Sequence, residues 1–343
     1  MKDTMKAVKI IKPGRLEVVE TDTPEPNGEN VIVKVLYSGI CGTDLGLWSS
    51  GAGDGALTPG HEYVGIVEDP GVRDDLKKGD RVTSIPWNPC NECNTCTSGY
   101  TNLCPNAMTR GVPGVTANGS FADYFSAIPG LVIKFPDSIS DLQAALVEPA
   151  AVGCRAAKLA KINSGDKVLV VGAGIIGLFC AAWARINGAG YIAMSEVNDF
   201  RGANAVETGV ADELFDAKDP DVVGKLIETT KGGFDCVFEA SGIEAGINTS
   251  LMALKPTGML LLAGVSHGPV SLEMSLAVVK ELEIKSSLGS LPEDINMTID
   301  KIADGSLQVE KFISDILGLN DAQKAFERSA SVTGTDVKIL IKS

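Results

Sequence analysis

The 343-residue sequence predicts an α/β protein: a β-rich first part, then a doubly wound parallel sheet, then a mixed terminal stretch. Three observations carry this. Short apolar runs punctuated by Gly and Pro fill the first 150 residues, the pattern of a barrel or sandwich. From Lys167 onward, apolar strand-like runs alternate with amphipathic helical ones, as a parallel sheet covered on both faces requires. After about Ser290 the alternation breaks down.

Taken in order, residues 5–10 and 16–20 flank Lys12-Pro13-Gly14-Arg15, a hairpin signal. Further strands are expected at 31–37, 63–68 and 81–85. In the second part, strands at 167–171, 191–195, 234–239 and 259–263 alternate with helices at 175–187, 199–208 and 243–254. A helix at 293–303 and a strand at 337–342 close the chain.

A net charge of −14 argues against nucleic acid or an anionic membrane as partner, since both need basic patches. The first residues lack the apolar stretch of a signal peptide, so a cytoplasmic location is expected. No charge occurs over residues 168–184, which touches the lower limit for a membrane span of about 17 residues. Its glycine interruptions read better as a buried strand, a tight turn and a buried helix.

Cys90, Cys93, Cys96 and Cys104 crowd into one Pro-, Asn- and Gly-rich stretch, about 88–106. Four thiolates at a closed tetrahedral site suit structural Zn²⁺ and leave no position for substrate. A pair of disulfides would need an oxidising compartment, and an iron–sulfur cluster is the other thiolate alternative. Cys154, Cys180 and Cys236 lie in apolar stretches and read as core fillers.

Gly172-Ala173-Gly174-Ile175-Ile176-Gly177 follows a strand and opens a helix. Glycines there permit a tight turn and close approach of backbone to a pyrophosphate, which the helix N-terminus then faces. Glu196 ends the next strand about 20 residues on, where a carboxylate holds ribose hydroxyls. A carboxylate there repels a 2′-phosphate, so NAD is favoured; a nearby guanidinium, Arg201, is what would admit NADP.

Only two histidines occur. His61 lies in Gly60-His61-Glu62 and Cys41 in Cys41-Gly42-Thr43-Asp44, each at a junction of strand and loop. Together they could supply two of the three protein ligands of a catalytic zinc. Alone, each also reads as an ordinary buried side chain. His267 follows a strand at the sheet's carboxyl edge and is expected to be a loop residue without chemistry.

The order of these features, with the glycine framework Gly60, Gly65, Gly71 and Gly79-Asp80, resembles the zinc-containing medium-chain alcohol dehydrogenases. The likeness covers essentially the whole chain. Leu146-Val147-Glu148-Pro149 places it nearest the sorbitol, threonine and butanediol dehydrogenase branch. The resemblance implies a GroES-like β-barrel catalytic domain from 1–150 and 290–343, around a Rossmann NAD-binding domain at 151–289. It implies two zinc ions, the catalytic one held by Cys41, His61 and either Glu62 or Glu148. Asp44 resembles the carboxylate that orients the ligand histidine. Zinc would lower the pKa of a bound alcohol, NAD would accept hydride, and Thr43 would pass the proton outward.

One departure stands out. Gly46 occupies the position where the related branch has a proton-relaying histidine, so the proton must leave through water, ribose hydroxyls or Glu62. Trp48 keeps the aromatic that lines the pocket in relatives, and the small residues after it permit a wider pocket. The expected activity is oxidation of a secondary alcohol or polyol by a homodimer or homotetramer. The alternatives are a bulky alcohol such as a hydroxysteroid, or a non-catalytic NAD-binding zinc protein.

Overall fold

The computed structural model describes residues 3–53, 55–266 and 268–343. His267, and Asp54 of the small-residue stretch after Trp48, lie outside the described residues. The chain divides into two compact units, Met1–Glu148 with Ser290–Ser343, and Pro149–Gly289.

The N-terminal segment supplies strands β1 (Thr4–Lys12), β2 (Arg15–Asp22), β3 (Val31–Gly39), β4 (Glu62–Asp69), β5 (Arg81–Ser84), β6 (Tyr124–Ala127) and β7 (Val132–Lys134). The central segment supplies β8 (Lys167–Val171), β9 (Tyr191–Glu196), β10 (Glu213–Asp216), β11 (Phe234–Glu239), β12 (Leu254–Leu262) and β13 (Glu283–Ser286). The C-terminal segment returns to the first unit with β14 (Ile313–Gly318) and β15 (Lys338–Lys342).

In the first unit β1 and β2 form the expected hairpin, and a second sheet runs β14-β15-β3-β4-β5-β7 with β6 also on β3. The last strand therefore lies against an early one, with Leu340 opposite Gly39 and Gly39 in turn opposite Glu62. Alternate residues of β3 (Val31, Val33 and Val35) meet Tyr63, Val82 and Phe125 in one core cluster. Each such fully buried apolar side chain contributes roughly 1.5–3 kcal/mol. A second cluster joins Val8, Ile10, Phe121, Phe326, Ile339 and Ile341, so both chain ends share one core.

The second unit is a six-stranded parallel sheet in the order β10-β9-β8-β11-β12-β13. Renumbered from its own first strand, that order is the 3-2-1-4-5-6 arrangement of dinucleotide-binding folds. The direction of strand addition reverses between β8 and β11, which places a ligand crevice at their carboxyl ends. The charge-free run is a buried strand, a turn and the helix Ile175–Ile186, whose residues Gly177 to Ala184 are all buried. Among the described residues, no helix is long and apolar enough to cross a membrane.

The structure adds elements that the sequence pattern did not mark. β10 has two apolar residues in four, and β12 begins at Leu254 rather than 259. Its early part, through Lys255 and Pro256, lies beside β11, with Leu254 opposite Phe234. The helices Val147–Ala160, Val222–Thr230 and Ala322–Ala330 are likewise new.

Candidate active site and metal centres

Cys41 sits at the end of β3, immediately before the helix Gly42–Ser50, and His61 immediately precedes β4. Asp44 draws the two together. Its carboxylate is fully buried and accepts hydrogen bonds from Cys41 N (2.9 Å) and Gly60 N (3.0 Å). One oxygen lies 3.7 Å from His61 Nδ1, too far for a hydrogen bond but close enough to favour a positive charge there. Ligand atoms of Cys41, His61 and Glu62 consequently lie within 4.8 Å of one another.

Charge and burial set the character of this cluster. Burial raises the Asp44 carboxyl above its ordinary value, although His61 acts against that shift. Burial, with Glu62 close by, pushes Glu148 up to about 7. At His61, burial alone would lower the pKa, but Asp44, Cys41 and Glu148 outweigh it and hold the imidazole well above its usual range. Each of these shifts says that negative groups crowd a dry site, which therefore suits a cation. His61 is buried and its Nδ1 has no hydrogen-bond partner. A thiolate, an imidazole and a carboxylate are a donor set that fits zinc.

The four-cysteine stretch closes on itself. Cys90 and Cys96 sulfurs are 3.9 Å apart, Cys93 and Cys104 4.0 Å, and Cys104 and Cys90 3.6 Å. A zinc–sulfur bond of about 2.3 Å in a tetrahedron gives sulfur–sulfur edges of about 3.8 Å, so the geometry fits a closed zinc site. Backbone N–H groups of Glu92 and Cys93 lower the Cys90 thiol to about 6, whereas burial pushes Cys96 up to about 12. A small apolar core of Cys96, Cys104, Ala107 and Val112, flanked by Trp87 and Val115, packs around the sulfurs.

In the second unit the glycine loop stands at the end of β8. Gly172 has φ +99°, and a Cβ on Gly177 would strike the Gly172 carbonyl, so loop and helix touch backbone to backbone. Glu196 ends β9 and accepts from Val197 N (2.8 Å), Asn198 N (2.9 Å) and Ala173 N. It thus ties the second strand to the glycine loop. Val171, Gly172, Glu196, Ser241 and Thr249 line one small cavity there. Arg201 lies in the first turn of the helix Asp199–Glu207.

Comparison with known proteins fits this geometry. Residues 27–137 match the alcohol dehydrogenase GroES-like domain, and residues 176–304 match the zinc-binding dehydrogenase family. The chain is 30% identical to a probable D-xylulose reductase A of Aspergillus clavatus, covering 98% of this chain and 97% of that protein. It is 30% identical to a sorbitol dehydrogenase of Bombyx mori, covering 95% of each. The chain belongs to the zinc-containing medium-chain alcohol dehydrogenase family. Among solved structures, a zinc-binding dehydrogenase of Sinorhizobium meliloti bound to NADP superimposes with a TM-score of 0.90, at 29% identity and full coverage of both chains. As a member of this family the chain is an oxidoreductase of the alcohol and polyol dehydrogenase class, with a GroES-like and a Rossmann-type portion.

Within that family framework the other expected residues fall as follows. Thr43 is exposed on the first turn of the helix Gly42–Ser50, and Glu148 is buried. A Cβ on Gly46 would meet nothing within 4 Å, so that position is open. Trp48 packs edge-on against Phe326, with ring centroids 6.0 Å apart, inside the apolar cluster of the first unit.

One residue escaped the sequence pattern. Lys338 of β15 is 1% exposed; its Nζ donates to the Ile40 carbonyl (2.6 Å) and pairs with Glu62 Oε2. Burial would lower the pKa of this lysine, but Glu62 and Cys41 outweigh that and raise it.

Proposed function

We propose that this dehydrogenase oxidises a secondary alcohol or polyol with NAD, using one catalytic and one structural zinc ion. The observation that carries the reading is the convergence of Cys41, His61 and Glu62 within ligand distance in a buried, negatively biased site. Cys41 and His61 would hold the catalytic ion, with Glu62 or Glu148 completing the set; Cys90, Cys93, Cys96 and Cys104 would hold the structural one. Bound zinc supplies Lewis acidity toward an alcohol oxygen, and bound NAD supplies the hydride acceptor.

The chain's own residues do the rest. Asp44 holds the Cys41 and His61 loops in register through two backbone N–H groups. Thr43, exposed beside Cys41, offers a hydroxyl to receive and pass on the substrate proton. With glycine at 46, water or a ribose hydroxyl continues that path. In the second unit, the backbone of Gly172, Gly174, Ile175, Ile176 and Gly177 faces the pyrophosphate, and Glu196 takes the ribose hydroxyls. Arg201 stands near the adenine end.

The test is a panel of polyols, vicinal diols, hydroxy amino acids and hydroxysteroids with NAD⁺ and NADP⁺, run beside metal analysis. We expect about two zinc ions per chain and turnover of small polyols or diols with NAD⁺. Turnover confined to hydroxysteroids would favour the second reading, which the open space at Gly46 supports. About one ion per chain, without turnover, would sink the catalytic reading.

A second expectation concerns the cofactor. Glu196→Gln keeps an acceptor for the loop amides but removes the charge. Preference for NAD⁺ over NADP⁺, as the ratio of kcat/KM values, should fall by roughly ten- to a hundredfold, since a charged hydrogen bond contributes about 1.5–3 kcal/mol. An unchanged ratio in initial-rate kinetics would show that Glu196 does not select the cofactor.

The assembly proposed is a homo-oligomer in a reducing compartment. β13 is an edge strand, and Val278, Val279, Ile284 and Leu288 beside it are exposed, a combination that invites pairing with a second copy. All eight cysteines are unbridged. Sedimentation of the same preparation should give two or four chains; a monomer would refute the assembly.

A further inference from the structure

Where the β5–β7 ladder ends, the first unit holds a cavity of about 290 Å³. Ile85 prolongs that ladder, its N–H donating to the Leu131 carbonyl (3.0 Å). Ile85, Leu131 and Pro292 give the cavity apolar walls, and Trp87, Arg110 and Ser290 bring polar groups to it. None of Cys41, Thr43, His61, Glu62 or the four lobe cysteines is among the described lining residues. Its polar groups share one deficit. The Arg110 guanidinium forms no ion pair or hydrogen bond with any described residue. The Trp87 indole N–H is buried without an acceptor, and the hydroxyl of Ser290, a residue 3% exposed, has no partner. Indole and guanidinium only donate, and a hydroxyl can donate, so an acceptor is what all three lack. Buried polar groups left unpaired are costly. No Asp or Glu is among the described lining residues, although acidic residues outnumber basic ones 44 to 30 in the chain. Asn88, 6% exposed, fixes the base of the guanidinium: its Nδ2 donates to the carbonyls of Arg110 (2.9 Å) and Gly111 (3.2 Å).

We propose that this cavity binds a small organic anion, a monocarboxylate with an apolar body. The carboxylate accepts from Arg110, with the Trp87 indole and the Ser290 hydroxyl as further donors, and the body lies against Ile85, Leu131 and Pro292. The volume stands at the small end for ligand sites and suits about one aromatic ring. A dicarboxylate would bring a second charge, and Arg110 is the one cation among the described lining residues. Trp87 also packs against the lobe core of Cys96, Cys104, Ala107 and Val112. Occupancy therefore stabilises the lobe by linkage, which makes the site regulatory rather than catalytic. The proposal stands whether or not Cys41, His61 and Glu62 hold a metal ion.

The experiment titrates the full-length protein with 3-phenylpropionate and with its uncharged isostere 3-phenylpropionamide, by calorimetry and by hydrogen–deuterium exchange. The anion should bind with a Kd of about 1 mM or tighter, and the amide about tenfold or more weakly, because the bond to Arg110 is charge-assisted. The anion should slow exchange in residues 87–112, which locates it at the cavity. Arg110 is exposed, so Arg110→Gln keeps the fold; it should bring the anion's affinity down to that of the amide. Gly130 lines the cavity, and a Cβ there would meet nothing within 4 Å, so Gly130→Trp fills the space without straining the backbone and should abolish binding of both compounds. Equal affinity for acid and amide in the parent, parental affinity in Arg110→Gln or Gly130→Trp, or protection confined to segments outside 85–131 and 290–292 each overturns the proposal. So does an absence of heat and of any change in exchange at tenfold above the expected Kd.

Discussion

Cys41→Ala should lose essentially all turnover while the protein stays folded. The fold half of this expectation follows from what Cys41 contributes structurally. Its backbone N–H donates to the Asp44 carboxylate, and alanine keeps that bond. The side chain is only half-buried, and its removal leaves the β3–β4 pairing untouched. The catalytic half follows from ligand count. A catalytic zinc held by three protein groups loses one, and the Lewis acidity at stake is several kcal/mol, which is roughly a thousandfold or more in rate. NADH formation, a melting curve and metal analysis check it together. The expected outcome is about one ion per chain, a melting midpoint near that of the parent, and no measurable kcat. Turnover within tenfold of the parent would remove Cys41 from the ligand set.

The central sheet was legible because strands buried on both faces are continuous apolar text. Lys167–Val171 and Phe234–Glu239 have the bounds expected from composition alone. β10 was not legible, since Glu213-Leu214-Phe215-Asp216 carries too little apolar signal and owes its place to pairing with β9. The same holds for the start of β12, where Lys255 and Pro256 are poor strand formers carried along by their neighbours. The first unit was legible as β-rich, and residue types marked Cys41 and His61 as candidate metal donors. What converges on Cys41 and His61 was harder to read. Lys338 looks like the solvent-facing member of an alternating strand, and only the pairing of β15 with β3 buries it. Asp44 has its double grip on Cys41 and Gly60 only once both loops are folded. Long-range register, rather than local pattern, decides such contacts.

Cys93→Ser should act in the opposite sense to Cys41→Ala, costing stability more than chemistry. Serine is a favoured residue at a helix N-cap, and Cys93 caps the short helix Asn94–Thr97. The substitution is therefore locally benign, and any loss belongs to the metal. The lobe has little else to hold it, because its apolar cluster is small and two of its four fully buried members are themselves cysteines. Structural zinc in small domains contributes about 10–16 kcal/mol of apparent binding energy that is also folding energy. Only part of that reaches the melting midpoint here, since the β3–β4 core does not depend on the lobe. A loss of about 3–5 kcal/mol would lower the midpoint by roughly 10 °C. Calorimetry, with a colorimetric chelator to follow zinc release, should show that drop and one ion lost per chain. The turnover of molecules still folded should stay within about tenfold of the parent. A variant with an unchanged midpoint and no turnover would exchange the roles of the two metal centres, because a site that governs chemistry without governing stability is the catalytic one.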